Sequence, residues 1–112
     1  MCNSCEGVKN MGLKYTREYK TVIYELAIGI KHIDKFYEFL EMSQNQWNTL
    51  VNSEQDEITQ TLADDIFYAL GLESQFQLGS GFIKYLAYEN CIDVHNSENK
   101  VFRINLIDTP IC

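Results

Sequence analysis

The clearest helical signal in the chain is residues 53–71, which read SEQDEITQTLADDIFYALG. Apolar residues recur in this stretch at spacings of three and four, which places them on one face of a helix. That apolar stripe consists of Ile58, Leu62, Ile66, Ala69 and Leu70. Ser53 and Asp56 resemble a capping box at the start, and Gly71 is suitably placed to end the helix. The stretch therefore predicts an amphipathic helix whose apolar face packs against a core.

Two further helical segments are predicted before this one. Apolar residues at helical spacing continue from Thr16 for about 25 residues and predict a long N-terminal helix. Thr16 is a suitable N-cap, and Glu18 would lie in the first turn, where a negative charge suits the helix dipole. Residues 43–52 indicate a short helix or turn. Residues 1–15 have no clear period, and we expect a loosely ordered lead-in.

A last helix is predicted within residues 74–89. It could begin at Ser74 or at Ser80, because Gly79 and Gly81 interrupt the pattern and glycine is unfavourable inside a helix. The sequence leaves both starts open.

Residues 91–106 predict a β-hairpin with a polar turn at 96–99. Apolar and polar residues alternate on both sides of that turn, as a half-buried strand pair requires. The apolar members are Ile92, Val94, Phe102, Ile104 and Leu106.

The expected fold class is α+β in a single domain covering residues 1–112. It is mostly helical, with a long N-terminal helix, two to three further helices and the C-terminal β-hairpin. The residues expected to be buried are Ile58, Leu62, Ile66, Leu86, Ile104 and Leu106.

Composition favours a folded protein in the cytoplasm. Apolar residues make up 46% of the chain, with seven Tyr, six Phe and one Trp, and this excludes a disordered protein. No stretch approaches the roughly 18 consecutive apolar residues of a membrane span. The first residues lack the basic start and apolar run of a signal peptide. We therefore expect no membrane association.

The four cysteines raise the question of a metal site. Cys2 and Cys5 form a C-x-x-C pair, which is half of a common zinc site. A second pair is missing, since Cys91 and His95 fall on a predicted strand and Cys112 stands alone. We expect reduced cysteines, no metal and no cofactor.

The negative charge of the chain is concentrated in one segment. The formal net charge is −7, yet residues 1–42 hold six acids and six bases, and residues 74–112 hold four acids and three bases. Residues 43–73 hold six acids and no base. Those acids are Glu54, Asp56, Glu57, Asp64, Asp65 and Glu73. They indicate a solvated helix face or a docking surface for a basic partner, because a patch of one sign speeds encounter with its complement. A metal-binding or catalytic carboxylate pair is a further alternative, but the adjacent Asp64 and Asp65 would point about 100° apart on a helix and could not easily share one ion.

The C-terminal half resembles a winged helix-turn-helix domain. The resemblance lies in the order of residues 58–65, 69–74 and 82–86 and the hairpin 92–106, which match helix, turn, recognition helix and wing. It implies DNA binding, with phosphate contacts from Lys84, Lys100 and Arg103 and base contacts from Gln75, Gln77 and Ser80. The glycines at 79 and 81 interrupt the recognition helix, and three bases are few unless a homodimer doubles them.

Two functions follow from these observations. The first is a small acidic protein-binding module, of the kind that serves as an inhibitor, an immunity-type protein or a nucleic-acid mimic on a basic partner. The alternative is a winged-helix DNA-binding regulator acting as a dimer. An enzyme is not expected, because neither His32 nor His95 belongs to a recognisable catalytic arrangement and no glycine-rich loop follows a strand.

Overall fold

The computed structural model describes Leu13 and residues 15–107, in which helices precede a sheet. The helices are α1 (Tyr19–Ile30), α2 (Gln44–Asn48) and α3 (Asn52–Leu70), with a 3-10 helix at Phe36–Leu40 before α2. The strands are β1 (Gln75–Leu78), β2 (Gly81–Leu86), β3 (Cys91–Asn96) and β4 (Asn99–Asn105). The α+β class predicted from the sequence is confirmed.

The four strands pair in chain order as an antiparallel meander, β1-β2-β3-β4. Side chains on one face of the sheet are apolar and buried against α1 and α3, while the other face, here called the outer sheet face, is largely polar. The buried sheet residues include Leu78, Ile83, Ile92, Val94 and Ile104. They meet Val22, Leu26 and Ile30 of α1 and Leu62, Ile66 and Leu70 of α3 in one core.

The prediction of a long N-terminal helix is wrong. The helix α1 has 12 residues and ends at Ile30. Its N-cap position is Glu18, so Thr16 does not cap it; the Thr16 N–H instead donates to the Leu106 carbonyl at 2.9 Å. The chain then reverses through Lys35, which has a positive φ of 61°. Ser80 holds this reversal, since its N–H donates to the Asp34 carbonyl at 3.2 Å. This long-range contact, which no local pattern reveals, holds the chain reversal that follows the helix.

The prediction of a helix within residues 74–89 is also wrong, because the segment forms β1 and β2. Gly79 and Ser80 are the two turn residues between paired Leu78 and Gly81, and Gly79 has a φ of 56°. A positive φ at the first turn position is typical of a tight hairpin turn. At Gly81 an added Cβ would lie 1.9 Å from the His95 carbonyl oxygen. The glycines thus form a turn and allow close strand packing, and no recognition helix occupies this segment.

The helix α3 matches its predicted extent closely, but its ends differ in chemistry. It begins at Asn52, and the Glu54 carboxylate accepts a hydrogen bond from the Val51 N–H at 3.2 Å, so Ser53 and Asp56 do not form the cap. Gly71 follows the last helical residue with an ordinary φ of −72° and does not use the left-handed conformation.

The C-terminal hairpin is confirmed as β3 and β4, but the sheet has four strands where two were predicted. Leu62, Ile66, Ile104 and Leu106 are buried as expected. Ile58 and Leu86 are only half-buried. The predicted short helix is present as α2, where Ser43 and Gln46 form a reciprocal capping box.

Candidate functional site

The outward side of α3 carries most of the excess negative charge. Leu62 and Ile66 hold the opposite side of the helix in the core, which leaves Glu57, Asp64 and Asp65 exposed. We call this surface the acidic face of α3. Its members are Glu54, Asp56, Glu57, Asp64 and Asp65, and the sixth predicted acid, Glu73, lies exposed beyond the helix end.

Three of these acids have partners within the fold. Glu54 caps α3, Asp56 forms an ion pair with Lys31 of α1, and Asp64 accepts a hydrogen bond from the Tyr19 hydroxyl. Across the described part of the chain, Glu57, Asp65 and Glu73 form no ion pair. Lys31 is the one cation that the fold brings to this surface by a direct ion pair, as far as the described residues extend. The acidic face therefore keeps most of its charge.

Tyr19 holds Asp64 in a fixed position. The Tyr19 ring packs edge-on against Phe67 with centroids 5.4 Å apart, and Tyr15 packs against the same ring at 5.6 Å. Burial raises the pKa of the Tyr19 hydroxyl well above its ordinary value, and the hydrogen bond to Asp64 raises it further. The hydroxyl therefore remains a neutral donor at physiological pH and orients the carboxylate.

A shallow groove runs between α1 and α3 beside these groups. Its lining includes Tyr19, Lys20, Tyr24, Glu57, Gln60 and Asp64. The Tyr24 side chain is 57% exposed, and Tyr68, one turn beyond Asp64, is 72% exposed. Exposed tyrosines beside charged groups are typical of protein interfaces, where Tyr often supplies binding energy. Sequence reasoning did not place these tyrosines here, since only the packing of α1 on α3 brings them to the acids.

The residues predicted for the DNA-binding alternative gather on the outer sheet face. Gln75 pairs with Lys84 across β1 and β2, Lys84 with Asp93, and Asp93 with Arg103, so the four form a row across the sheet. Gln77 lies on the same face of β1, and Lys100 reaches Asp93 at 3.7 Å. Ser80 does not join this group, because its hydroxyl donates a hydrogen bond to the Asp34 carbonyl.

Asp93 pairs with two of these cations, Lys100 and Arg103, and balances one of their two charges. Its carboxylate is buried and accepts hydrogen bonds from Arg103 at 2.7 and 3.0 Å. Burial alone would raise the pKa of Asp93, but the Arg103 hydrogen bonds and the charges of Arg103 and Lys100 outweigh it and lower the pKa. Arg103 also meets Glu89 at 3.0 Å. Sequence reasoning missed this buried acid, since strand alternation predicts an outward and exposed position for it.

The two histidines do not form a catalytic group with each other. His32 is exposed, not on the apolar side of a helix, and its ring stacks on Phe102 at 5.4 Å. His95 stacks on Phe82 with centroids 4.4 Å apart, and its buried Nδ1 has no hydrogen-bond partner among the described residues.

The expectation of metal-free cysteines stays a prediction, because Cys2, Cys5 and Cys112 lie outside the described residues. Cys91 is buried, and burial, together with the charge of Asp93, raises the pKa of its thiol. Among the residues that the structure describes, no three His, Cys, Asp or Glu side chains converge where they could hold a metal ion. None of the described helices has the length and apolar character needed to cross a membrane.

Comparisons of this chain with protein-family models, with curated proteins and with solved structures give no match.

Proposed function

We propose that this chain is a small protein-binding module that docks on a basic surface of another protein through the acidic face of α3. The observation that carries the proposal is the pairing of uncompensated acids with exposed tyrosines on one surface. Glu57 and Asp65 have no ion partner among the described residues, and Tyr24 and Tyr68 flank them with most of their side chains in water. Function in this proposal is binding, with no catalysis and no cofactor.

The electrostatics of these acids favours a role other than stabilising the fold. Exposed ion pairs contribute at most about 1 kcal/mol to stability, and like charges along a helix repel one another. Residues 43–73 nevertheless hold six acids and no base. A surface of this kind accelerates association with a basic partner and disfavours acidic ones. The tyrosines would then supply the contact area that charge alone does not provide.

The partner class follows from this chemistry. A row of carboxylates along one helix can occupy a basic site that otherwise binds phosphates, which is how inhibitors, immunity-type proteins and nucleic-acid mimics act. The assignment to this class is an analogy of charge and size, and the proposal has the protein act in the cytoplasm.

The test is affinity capture on immobilised full chain from the native cell, before and after nuclease treatment. Asp64→Lys with Asp65→Lys reverses two charges on the acidic face. Glu38→Lys with Glu98→Lys is the matched control, because it changes net charge equally at exposed sites away from α3. We expect a protein partner that survives nuclease, is lost with the first variant and is retained with the control. Equal retention by both variants would contradict the proposal.

A second candidate is a DNA-binding regulator acting as a dimer, and the gathering of Gln75, Gln77 and Lys84 on the outer sheet face favours it. Because residues 75–86 are strands, this candidate would contact DNA through the sheet. Lys84 is the exposed cation of this candidate surface, whereas Lys100 and Arg103 both form ion pairs with Asp93. In fluorescence anisotropy with labelled duplex DNA, Lys84→Glu should abolish binding, and reversal of Asp64 and Asp65 should tighten it.

A further inference from the structure

A pocket lies where α3 ends and the β2–β3 turn begins. It is lined by Leu70 and Leu72 at the helix end and by Tyr85, Leu86 and Tyr88 at the turn. Leu72 is 59% exposed and Tyr88 projects fully into solvent. The walls are thus apolar and aromatic, and nothing in the described chain covers them.

The rim of this pocket has acidic groups, although the charge of Glu89 is shared with Arg103. The helix α3 has 19 residues, and its last turn contains no basic side chain to balance the partial negative charge of the helix C-terminus. Glu89 lines the pocket, and the exposed Glu73 lies in sequence between two of its lining residues, Leu72 and Ser74. An apolar pocket with an acidic rim disfavours acidic ligands and favours a cation with an apolar stem.

The Glu89 carboxylate already binds a guanidinium. Its Oε1 lies 3.0 Å from Arg103 Nη1, and the pair is partly exposed. A carboxylate has several acceptor positions and accommodates more than one donor. The second oxygen can therefore receive a donor that arrives from the pocket side.

We propose that this pocket receives an arginine side chain of the protein partner. The proposal rests on the proposed function and identifies one residue type that the partner presents. Arginine fits because its methylene stem can pack against Leu70 and Leu86, while its planar guanidinium stacks on a tyrosine ring and pairs with carboxylates. A lysine ammonium is a compact, strongly hydrated charge and gains less from stacking.

The experiment titrates the ¹⁵N-labelled full chain with acetyl-Gly-Arg-Gly-amide and follows backbone amide shifts. The control probe replaces arginine with citrulline, which keeps the shape and loses the charge. We expect saturable shifts at Leu72, Ala87 and Tyr88 with the arginine probe and much smaller ones with citrulline. Tyr88→Ala, at a fully exposed side chain, should weaken the arginine probe about threefold. Glu89→Gln should also weaken it, and Glu98→Gln in the distant β3–β4 turn should not.

The outcomes separate this proposal from the docking of α3. Reversal of the charges at Asp64 and Asp65 should leave the titration with the arginine probe unchanged. A failure to capture a partner therefore does not change the outcome of the titration. Shifts confined to Glu57, Asp64 and Asp65, equal shifts with citrulline, or no saturable shift would overturn the pocket proposal and leave the acidic face as the docking surface.

Discussion

The Tyr19 hydroxyl donates a hydrogen bond to the Asp64 carboxylate and thereby joins α1 to the acidic face of α3. The two residues are 45 positions apart, and the Tyr19 ring is itself held by its edge-on contact with Phe67. A carboxylate fixed in this way is presented to a partner with little loss of side-chain freedom on binding. Preorganisation of this kind increases affinity because less ordering remains to be done.

Tyr19→Phe tests this relationship, since it keeps the ring and removes the donor. We expect the free energy of unfolding to fall by about 1 kcal/mol or less, the usual net value of one hydrogen bond. Partner affinity should fall severalfold because Asp64 becomes mobile. Tyr37→Phe is the control, because Tyr37 lies in the 3-10 helix Phe36–Leu40, outside the proposed docking surface. Equal affinities for the two variants, measured by calorimetry, would show that Asp64 needs no positioning.

Asp93 should make stability depend on acid pH. Its lowered pKa means that the folded chain favours the charged form, so Asp93 stabilises the fold above the unfolded pKa of about 4 and loses that contribution as pH falls through the folded value. Asp93→Asn should cost about 2 kcal/mol at pH 7. The difference between wild type and variant, from urea unfolding, should shrink as pH falls below 4. A constant difference across pH would contradict the ion-pair account.

Gly79 in the β1–β2 turn and Gly81 at the start of β2 should respond strongly to alanine. Gly79 has a positive φ, and an added Cβ would lie 2.7 Å from the Asp34 carbonyl oxygen, so Gly79→Ala should cost about 1–2 kcal/mol or more. Gly81→Ala should cost more, because the His95 backbone occupies the position of its Cβ. Gly71→Ala is the control, since its φ of −72° suits any residue. Thermal unfolding of the three variants gives the order of their stabilities. A large loss of stability for Gly71→Ala would contradict this account.

Zinc is expected to be absent from the purified chain. Elemental analysis after purification without chelator should find far less than one zinc per chain. About one zinc per chain that disappears with Cys2→Ser or Cys5→Ser would contradict this expectation.

Local sequence predicted α3 and the C-terminal hairpin well because both have long, regular apolar patterns. The end of α1 could not be predicted, because residues 31–35 contain neither Gly nor Pro. Ile33 also fits the helical spacing of apolar residues, although its backbone is not helical. For β1 and β2, the Gly79–Ser80 pair between short alternating runs was the available signal of a hairpin. The prediction of an interrupted helix within residues 74–89 overlooks this signal.

The candidate site was predictable in part. The predicted apolar face of α3 packs against the core, and this leaves Glu57 and Asp64 exposed on the opposite side. The partners of the acids depend on tertiary packing: Lys31 is 25 residues from Asp56, and Tyr19 lies on another helix. Long-range pairs of this kind leave no periodic pattern in a single sequence. The burial of Asp93 on the outer sheet face leaves no such pattern either.

The association rate of the captured partner, measured at several salt concentrations, tests the central claim most directly. Asp64→Lys with Asp65→Lys changes the charge of residues 43–73 from −6 to −2, since each reversal adds two positive charges. For wild type, the rate should fall steeply as salt rises. The double variant should bind far more slowly at low salt and lose most of that salt dependence, while its free energy of unfolding falls by no more than the roughly 1 kcal/mol of the lost Tyr19–Asp64 hydrogen bond. An unchanged rate and an unchanged salt dependence would contradict docking through the acidic face of α3.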